Sequence, residues 1–319
     1  MSIKALERYL LPLMPFLKMD GVTEICVNRP GEIFIERNGT FIRYEVDELE
    51  YDFLESLAVL VAEFNHKDFP SPLLSGSLPN GERIQFVMNP ACEKDRLVCS
   101  IRRQQIKNLT IDDYQSMGSF NTWTHAASIS NTDLNDLYLK KDVLNFLKRS
   151  ILGRKNILIS GGTGTGKTTF LNACLQLIPQ TERLITVEDT REVSVSHPNS
   201  VHLLFNEEDE RITALKIFKT CLRLRPDRIF LSELRGAEVW PYLRAANSGH
   251  PGSLSTVHAD TPEGAITQLV FMMQQAGSTS SEERIREYIR SIIHVIVQLK
   301  KCTSGERFMS VSEIYFNEK

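Results

Sequence analysis

Hydrophobic and polar residues alternate near the N-terminus in short runs that predict β-strands. Residues 23–28 and 33–37 form two such runs, and residues 41–46 form a third after a short break. The break contains Asn38-Gly39, and both residue types tolerate the positive φ angles of a type I′ turn. We therefore predict that the second and third runs form a β-hairpin.

The segment that follows has helical spacing. Apolar residues recur three and four positions apart between residues 48 and 64, which predicts one buried helix face: Leu54, Leu57, Ala58, Val61 and Ala62. A second turn pair, Asn80-Gly81, lies between short apolar runs, and residues 83–88 and 97–102 are predicted strands. Together these elements predict a small α+β domain over residues 1–105.

The chain then becomes polar and loses its periodicity. Residues 104–135 are crowded with Ser, Thr, Asn and Asp, a composition typical of an extended connection. We predict a linker over residues 106–136, followed by a second domain over residues 137–319.

After Tyr138 the pattern changes to short apolar runs separated by helical segments. The runs are residues 156–160, 183–187, 201–205 and 228–231. Runs of this kind are typical of strands buried on both faces, and helices between them serve as crossovers between parallel strands. We therefore predict an α/β fold for the second domain, with a mostly parallel sheet.

Composition fits a two-domain enzyme and narrows the partners only slightly. The chain has 319 residues, of which 42% are hydrophobic, and this length favours two domains over one. Its net charge of −3 gives no overall attraction to nucleic acid or to anionic lipid. No direct nucleic-acid site is evident from the sequence.

The cysteines and the N-terminus point to the cytoplasm. Six cysteines lie scattered without a Cys-x-x-Cys pair, which predicts reduced thiols: Cys26, Cys92, Cys99, Cys174, Cys221 and Cys302. The first apolar run carries charges and is interrupted by Pro12 and Pro15, unlike a signal peptide. No other run approaches the ~20 apolar residues of a membrane-spanning helix, so membrane association is expected to be peripheral.

A phosphate-binding loop follows the first apolar run of the second domain. The motif G-x-x-x-x-G-K-[ST] is matched in its expected context of strand, loop and helix by Gly161, Gly162, Thr163, Gly164, Thr165, Gly166, Lys167 and Thr168. Glycines let backbone N–H groups surround phosphate oxygens, and the helix N-terminus, which includes Thr169, favours negative charge. Lys167 is expected to reach the β- and γ-phosphates of ATP, and Thr168 to bind Mg²⁺.

Two apolar runs end in carboxylates that are expected at the same edge of the sheet. Glu233 ends the run from Arg228 and could orient or deprotonate the attacking water. Glu188 ends another run and could hold Mg²⁺ through water, whereas the adjacent Asp189 could cap a turn. Arg223 and Arg225 could neutralise phosphate charge or remain solvated helix-end charges, and the residues do not decide between these.

A histidine-containing segment is the second dense cluster of polar residues. It contains His250 and His258, separated by glycines, serines and a threonine. A histidine taken alone is more often structural than catalytic, so residue type does not establish a role for either.

The second domain resembles the secretion superfamily of P-loop ATPases, which drive type II and type IV secretion and type IV pili. Four boxes match in order: the loop from Gly161, residues 186–190 around Glu188, the run ending at Glu233, and the segment 250–258. The short chain and two N-terminal segments, Asn80-Gly81-Glu82-Arg83 and Ser100-Ile101-Arg102, resemble the type IV secretion branch. The resemblance implies a RecA-like core.

The resemblance also implies roles for individual residues. Lys167 and Thr168 would bind phosphate and Mg²⁺, Glu188 would support the metal, and His258 would sense the γ-phosphate. Glu233 would position water. The remaining implied contacts come from the N-terminal domain, which would close over the nucleotide through Arg83 and Arg102. Ser232 departs from the pattern, since family members usually carry Gly there.

The expected assembly is a homohexamer at the cytoplasmic face of the bacterial inner membrane. Its expected partners are other type IV secretion components, including the inner-membrane secretion and coupling ATPases, and the expected activity is Mg²⁺-dependent ATP hydrolysis. A pilus retraction or assembly motor shares the same four boxes and stays open as an alternative. A second alternative is a nucleic-acid translocase, which would need a basic stripe or stacking aromatics. A third is a nucleotide-binding scaffold without turnover, which would not need Lys167, Thr168 and Glu233 together.

Overall fold

A computed structural model describes residues 3–103, 110–116, 118, 120, 132–301 and 309–317. Two β-sheets organise these residues. The first sheet has six strands in the order β3-β2-β1-β6-β5-β4, and all neighbouring strands are antiparallel. Its strands are β1 (Val22–Val27), β2 (Glu32–Arg37), β3 (Thr40–Glu45), β4 (Leu73–Ser77), β5 (Arg83–Met88) and β6 (Leu97–Arg102).

Three helices accompany the first sheet: α1 (Ile3–Tyr9), α2 (Met14–Leu17) and α3 (Tyr51–Phe64). The predicted apolar face of α3 is buried against the sheet and forms one core with β1, β2 and β6. Asn38 and Gly39 have φ angles of 52° and 78°, as a type I′ turn between β2 and β3 requires. The predicted hairpin is therefore present.

The second sheet has seven strands in the order β13-β12-β7-β11-β10-β8-β9. Neighbouring strands are parallel except for β13, which runs antiparallel to β12. The strands are β7 (Ile157–Gly161), β8 (Leu184–Glu188), β9 (Ser200–Leu204), β10 (Arg228–Leu234), β11 (Leu254–Val257), β12 (Val295–Lys301) and β13 (Met309–Phe316). The described residues thus have the mostly parallel sheet that the apolar runs predict.

Helices cover both faces of the second sheet. Alternate residues of one strand enter different cores: Leu158 of β7 lies in one cluster, and Ile157 and Ile159 lie in the other. This explains why the strands show continuous rather than alternating hydrophobicity. The helices after the first sheet are α4 (Ile111–Ser116), α5 (Thr132–Leu139), α6 (Val143–Leu152), α7 (Lys167–Leu175), α8 (Ala214–Cys221), α9 (Val239–Ala246), α10 (Pro262–Gln275) and α11 (Glu282–Ile292).

The two sheets meet at the edge strand β9. Cys92 forms an isolated bridge with Leu203, and the backbone N–H of Leu204 donates to the carbonyl of Ala91 at 2.8 Å. Arg183 is fully buried and donates to the Asn28 side-chain oxygen at 2.6 Å. The first sheet is therefore fixed to the side of the second sheet.

The predicted linker is only partly described. Within residues 106–136 the structure gives residues 110–116, 118, 120 and 132–136, which include α4 and the first part of α5. The boundaries 1–105 and 137–319 stay predictions. Among the helices that are described, none combines the length and the apolar character needed to cross a bilayer. Cys302 lies outside the described residues, and the other five cysteines are free and buried.

Candidate nucleotide site

The phosphate-binding loop connects the end of β7 to the start of α7. Gly164 and Gly166 have φ angles of 70° and 75°, in the left-handed region that favours glycine. A Cβ atom on Gly161 would lie 2.5 Å from the Thr165 hydroxyl and 2.9 Å from the Leu299 carbonyl oxygen. Gly161, Gly164 and Gly166 are therefore required by backbone conformation or by close packing.

The first turn of α7 faces this loop. It begins at Lys167 and contains Thr168 and Thr169, so its free backbone N–H groups point toward the place where a phosphate would sit. The Thr168 hydroxyl lies 3.4 Å from a carboxylate oxygen of Glu192, a residue that the sequence analysis did not single out. Thr163 and Gly164 are exposed at the tip of the loop.

Lys167 is largely buried beneath the loop. Its Nζ donates to the carbonyl oxygens of Gly161 at 3.0 Å and Gly162 at 3.2 Å. Burial lowers the pKa of Lys167, Glu233 acts in the opposite direction, and Arg235 adds to the lowering. The ammonium is thus held at the loop by weak carbonyl acceptors, which phosphate oxygens could replace.

Glu233 lies where β10 departs from regular pairing. Leu231 pairs with Ser255 and Leu234 pairs with Val257, so β10 has one extra residue between these pairs. Such a bulge re-aims side chains near the end of a strand. Ser232, the position that departs from the family pattern, lies in this bulge, and its carbonyl accepts a hydrogen bond from Thr256 at 2.8 Å.

His258 connects Lys167 to Glu233. Lys167 Nζ lies 3.2 Å from His258 Nδ1, and His258 Nε2 lies 2.7 Å from Glu233 Oε1. Lys167 Nζ also lies 3.4 Å from His258 Nε2, so it contacts both ring nitrogens. His258 therefore contacts both Lys167 and Glu233, and three of the predicted site residues form one row of close polar contacts.

Arg235 extends this chain on the other side of Glu233. Its Nε lies 2.5 Å from Glu233 Oε2, and its Nη1 lies 2.7 Å from Asp189 Oδ2. Asp189 also accepts from the Thr190 backbone N–H at 2.8 Å. The sequence analysis did not assign Arg235 a role, although a cation two residues after Glu233 could have indicated an ion pair at this strand end.

Glu188 has surroundings that do not fit its predicted support of a metal ion. It is fully buried, and its oxygens accept from the Thr186 hydroxyl, Arg191 and the backbone N–H groups of Glu192 and Val193, all at 2.7–2.8 Å. Burial raises the pKa of Glu188, but the hydrogen bonds together outweigh it and lower the pKa to about 2. Its lone pairs are occupied, so this carboxylate fixes the loop after β8.

His250 and Arg225 have structural contacts in place of phosphate contacts. His250 Nδ1 lies 3.0 Å from the Pro226 carbonyl oxygen, and burial lowers the pKa of this histidine. Arg225 pairs with Glu36 of β2 and with Asp227 at 2.8 Å. Arg225 therefore joins the two sheets, and the alternative that it neutralises phosphate charge is not supported.

The structure does not bring Arg83 and Arg102 to the phosphate-binding loop of the same chain. Both line a cavity of about 450 Å³ between the first sheet and the end of α8, together with Lys67 and Arg223. Arg102 pairs with the buried Glu24 at 2.9 Å. The predicted closure of these arginines over the nucleotide is thus not made within this chain.

Comparisons with known proteins agree over almost the whole length. The model of the family described as Type II/IV secretion system protein matches residues 8–318. The type IV secretion system protein VirB11 of Brucella suis is 37% identical, with 97% of this chain and 89% of that protein covered. VirB11 of Bartonella quintana is 35% identical, with 96% and 91% covered.

A solved structure agrees as well. The crystal structure of the VirB11 ATPase from the Brucella suis type IV secretion system, in complex with sulphate, is similar with a TM-score of 0.92 at 36% identity, and 98% of each chain is covered. This similarity confirms the predicted α/β fold with a RecA-like core. It also favours type IV secretion over a pilus motor. The chain therefore belongs to the Type II/IV secretion system protein family, and it is a type IV secretion ATPase.

Proposed function

We propose that ATP is hydrolysed at the loop from Gly161 to Thr168, with Lys167 binding the β- and γ-phosphates and Glu233 preparing the attacking water. The observation that carries this proposal is the row of polar contacts from Lys167 through His258 to Glu233, at 3.2 and 2.7 Å. Through His258 it links the cation of the loop to a carboxylate at the end of a neighbouring strand. Such a pair suits phosphoryl transfer, in which positioning and charge neutralisation supply most of the catalysis.

The steps follow from these contacts. Phosphate oxygens replace the carbonyls of Gly161 and Gly162 as acceptors for Lys167, because anionic acceptors form stronger hydrogen bonds. The water oxygen forms a bond to the γ-phosphorus while the bond to the bridging oxygen breaks, and ADP leaves. Glu233 orients this water and accepts its proton, and His258 contacts the γ-phosphate region.

Mg²⁺ fits the donors at the start of α7. The Thr168 hydroxyl and the nearby Glu192 carboxylate are hard oxygen donors, and bound Mg²⁺ would neutralise charge between the β- and γ-phosphates. Among the described residues there is no cluster of three or more His, Cys, Asp or Glu that could hold a metal. Mg²⁺ usually needs only one or two protein oxygens, with phosphates and waters completing its shell.

Glu233→Gln tests the proposed chemistry. The amide cannot accept the proton, so we expect the variant to bind Mg·ATP normally and to turn it over about a hundredfold more slowly or worse. Equilibrium nucleotide binding and steady-state kinetics measure the two effects. Glu45→Gln is a matched control, since Glu45 also ends a strand two residues from an arginine, at 3.4 Å from Arg43. Unchanged turnover in Glu233→Gln would contradict the proposal.

We further propose that the chain works as a homohexamer with other type IV secretion components, including the inner-membrane secretion and coupling ATPases, at the cytoplasmic face of the inner membrane. The cavity containing Arg83, Arg102 and Arg223 supports the oligomer, because it has an excess of positive charge and does not include the chain's own loop. Arg83 and Arg102 would then serve a nucleotide bound to a neighbouring copy. No direct contact with nucleic acid is proposed.

Arg102→Ala and Arg83→Ala test the shared site. Each is expected to weaken a non-hydrolysable ATP analogue about tenfold more than ADP, because ADP lacks the γ-phosphate that accepts a charge-assisted hydrogen bond. Mixing Arg102→Ala with Lys167→Ala subunits should restore tight analogue binding, since each variant supplies what the other lacks. Equal losses for the two nucleotides, or no recovery on mixing, would contradict this arrangement.

A further inference from the structure

Arg235 is a charged side chain at the nucleotide site that the mechanism above does not use. It follows β10 directly, and its side chain is 58% exposed between Glu233 and Asp189. The sequence of contacts from Lys167 through His258, Glu233 and Arg235 to Asp189 follows the strand order β7-β11-β10-β8. One continuous row of side chains therefore crosses the ends of four adjacent strands.

The two oxygens of Glu233 are held from opposite sides of this row. His258 Nε2 contacts Oε1 at 2.7 Å, and Arg235 contacts Oε2 through Nε at 2.5 Å and also through Nη2. A guanidinium that offers two N–H groups fixes the plane of a carboxylate as well as its position. Since a guanidinium stays protonated at any relevant pH, Arg235 does not compete with Glu233 for the proton of water.

Arg235 is itself fixed by two acids. Asp189 accepts from Nη1 at 2.7 Å, and this acid lies one residue beyond the neighbouring strand β8. The buried Glu238 accepts from the backbone N–H groups of Arg235 and Gly236, which fixes the turn after β10. Both the backbone and the guanidinium of Arg235 are thus positioned before any nucleotide binds.

We propose that Arg235 is a positioning residue for ATP hydrolysis, which holds the Glu233 carboxylate toward the attacking water, and that Asp189 orients Arg235 in turn. This inference rests on the proposed role of Glu233. It assigns Arg235 to the catalytic step and not to nucleotide binding, because its contacts are with the acid and not with the phosphate-binding loop. It also distinguishes Asp189 from a simple turn cap.

Arg235→Ala tests the proposal by separating kcat from KM. Loss of a charge-assisted contact to Glu233 should lower kcat about ten- to a hundredfold, while KM and the equilibrium affinity for ATP stay within about twofold. Arg235→Lys should recover part of the loss, because lysine restores the charge without the planar pair of donors. Arg211→Ala is the matched control, since Arg211 pairs with Asp209 two residues away at 2.7 Å outside the site.

Asp189→Asn provides the second arm. Alone it should lower kcat a few-fold, and combined with Arg235→Ala it should add nothing, because its effect passes through the arginine. A full additional loss in the double variant would contradict the role of Asp189. Thermal unfolding and ADP binding establish that each variant is folded, and Arg235→Lys keeps the test valid if Arg235→Ala is unstable.

The outcomes separate this inference from the proposed function. If Glu233→Gln stops turnover but Arg235→Ala leaves kcat unchanged or raises it, the inference alone fails. If Arg235→Ala weakens an ATP analogue more than ADP, Arg235 contacts the γ-phosphate and is not a positioning residue. If Glu233→Gln keeps turnover, the proposed function fails first, and Arg235 loses its role with it.

Discussion

The strands β8 and β10 are neighbours, and each carries a glutamate near its end, yet the two carboxylates have different surroundings. Glu188 is fully buried, and two of its hydrogen-bond donors are backbone N–H groups of residues 192 and 193. Glu233 is 11% exposed, and its contacts come from the side chains of Arg235 and His258. Backbone donors cannot leave without unfolding the loop, whereas side chains can change partners during a reaction.

This difference teaches which of two similar acids is free for chemistry. A carboxylate that its own loop surrounds stabilises that loop, and it would have to break the loop to bind a metal or a water. A carboxylate held by side chains at the mouth of a site can exchange one of those contacts for water. The end of β10 is therefore suited to catalysis, and the end of β8 supports it structurally.

Lys167→Ala should have the largest effect on ATP turnover, and it tests the catalytic role assigned to the end of β10. The ammonium joins the loop to the Glu233 chain, so we expect ATP turnover to fall on the order of a thousandfold or more. The midpoint of thermal unfolding should stay within about a few degrees, because the buried charge is itself costly to desolvate. Steady-state ATPase assays and thermal unfolding measure the two.

Lys148→Ala is the control for this variant. Lys148 is exposed on α6, outside the loop and the Glu233 chain, so both quantities should match the wild type. Turnover near the wild-type rate in Lys167→Ala would mean that the loop does not bind the reacting phosphates. The distinction between a catalytic Glu233 and a structural Glu188 would then lose its support.

The sequence was sufficient to predict the elements that local patterns determine. Nine of the thirteen described strands follow from short apolar runs, and β5 and β6 have the predicted bounds of 83–88 and 97–102, whereas β4, β11, β12 and β13 were not predicted. The phosphate-binding loop was predictable because its glycines meet a backbone requirement that holds in any chain with this motif. The parallel topology also placed Glu188 and Glu233 at one edge of the sheet.

The sequence was not sufficient to predict what surrounds each acid. Residues 189–193 could have extended into solvent, and only the folded chain shows that they return their N–H groups to Glu188. The pairing of Arg225 with Glu36, 189 positions apart, depends on how the two sheets meet, which no local pattern encodes. The way the two sheets meet also determines that Arg83 and Arg102 lie away from the phosphate-binding loop of the same chain.

Glu188→Gln should have a smaller effect on turnover than Lys167→Ala. If it slowed turnover as Glu233→Gln does, the distinction between the two glutamates would fail. The hydrogen bonds around Glu188 lower its pKa from an ordinary 4.5 to about 2, which corresponds to about 3 kcal/mol of stability. A lowered pKa stabilises the folded chain at pH values above about 4.5, and this contribution is lost as the pH falls toward about 2. Urea unfolding should therefore show the variant about 3 kcal/mol less stable at pH 7, with a shrinking difference below pH 4.5. Glu192→Gln, at an exposed acid of the same loop, is the control and should keep its stability. A folded Glu188→Gln that lost turnover without losing stability would return Glu188 to the metal site and remove the distinction between the two strand ends.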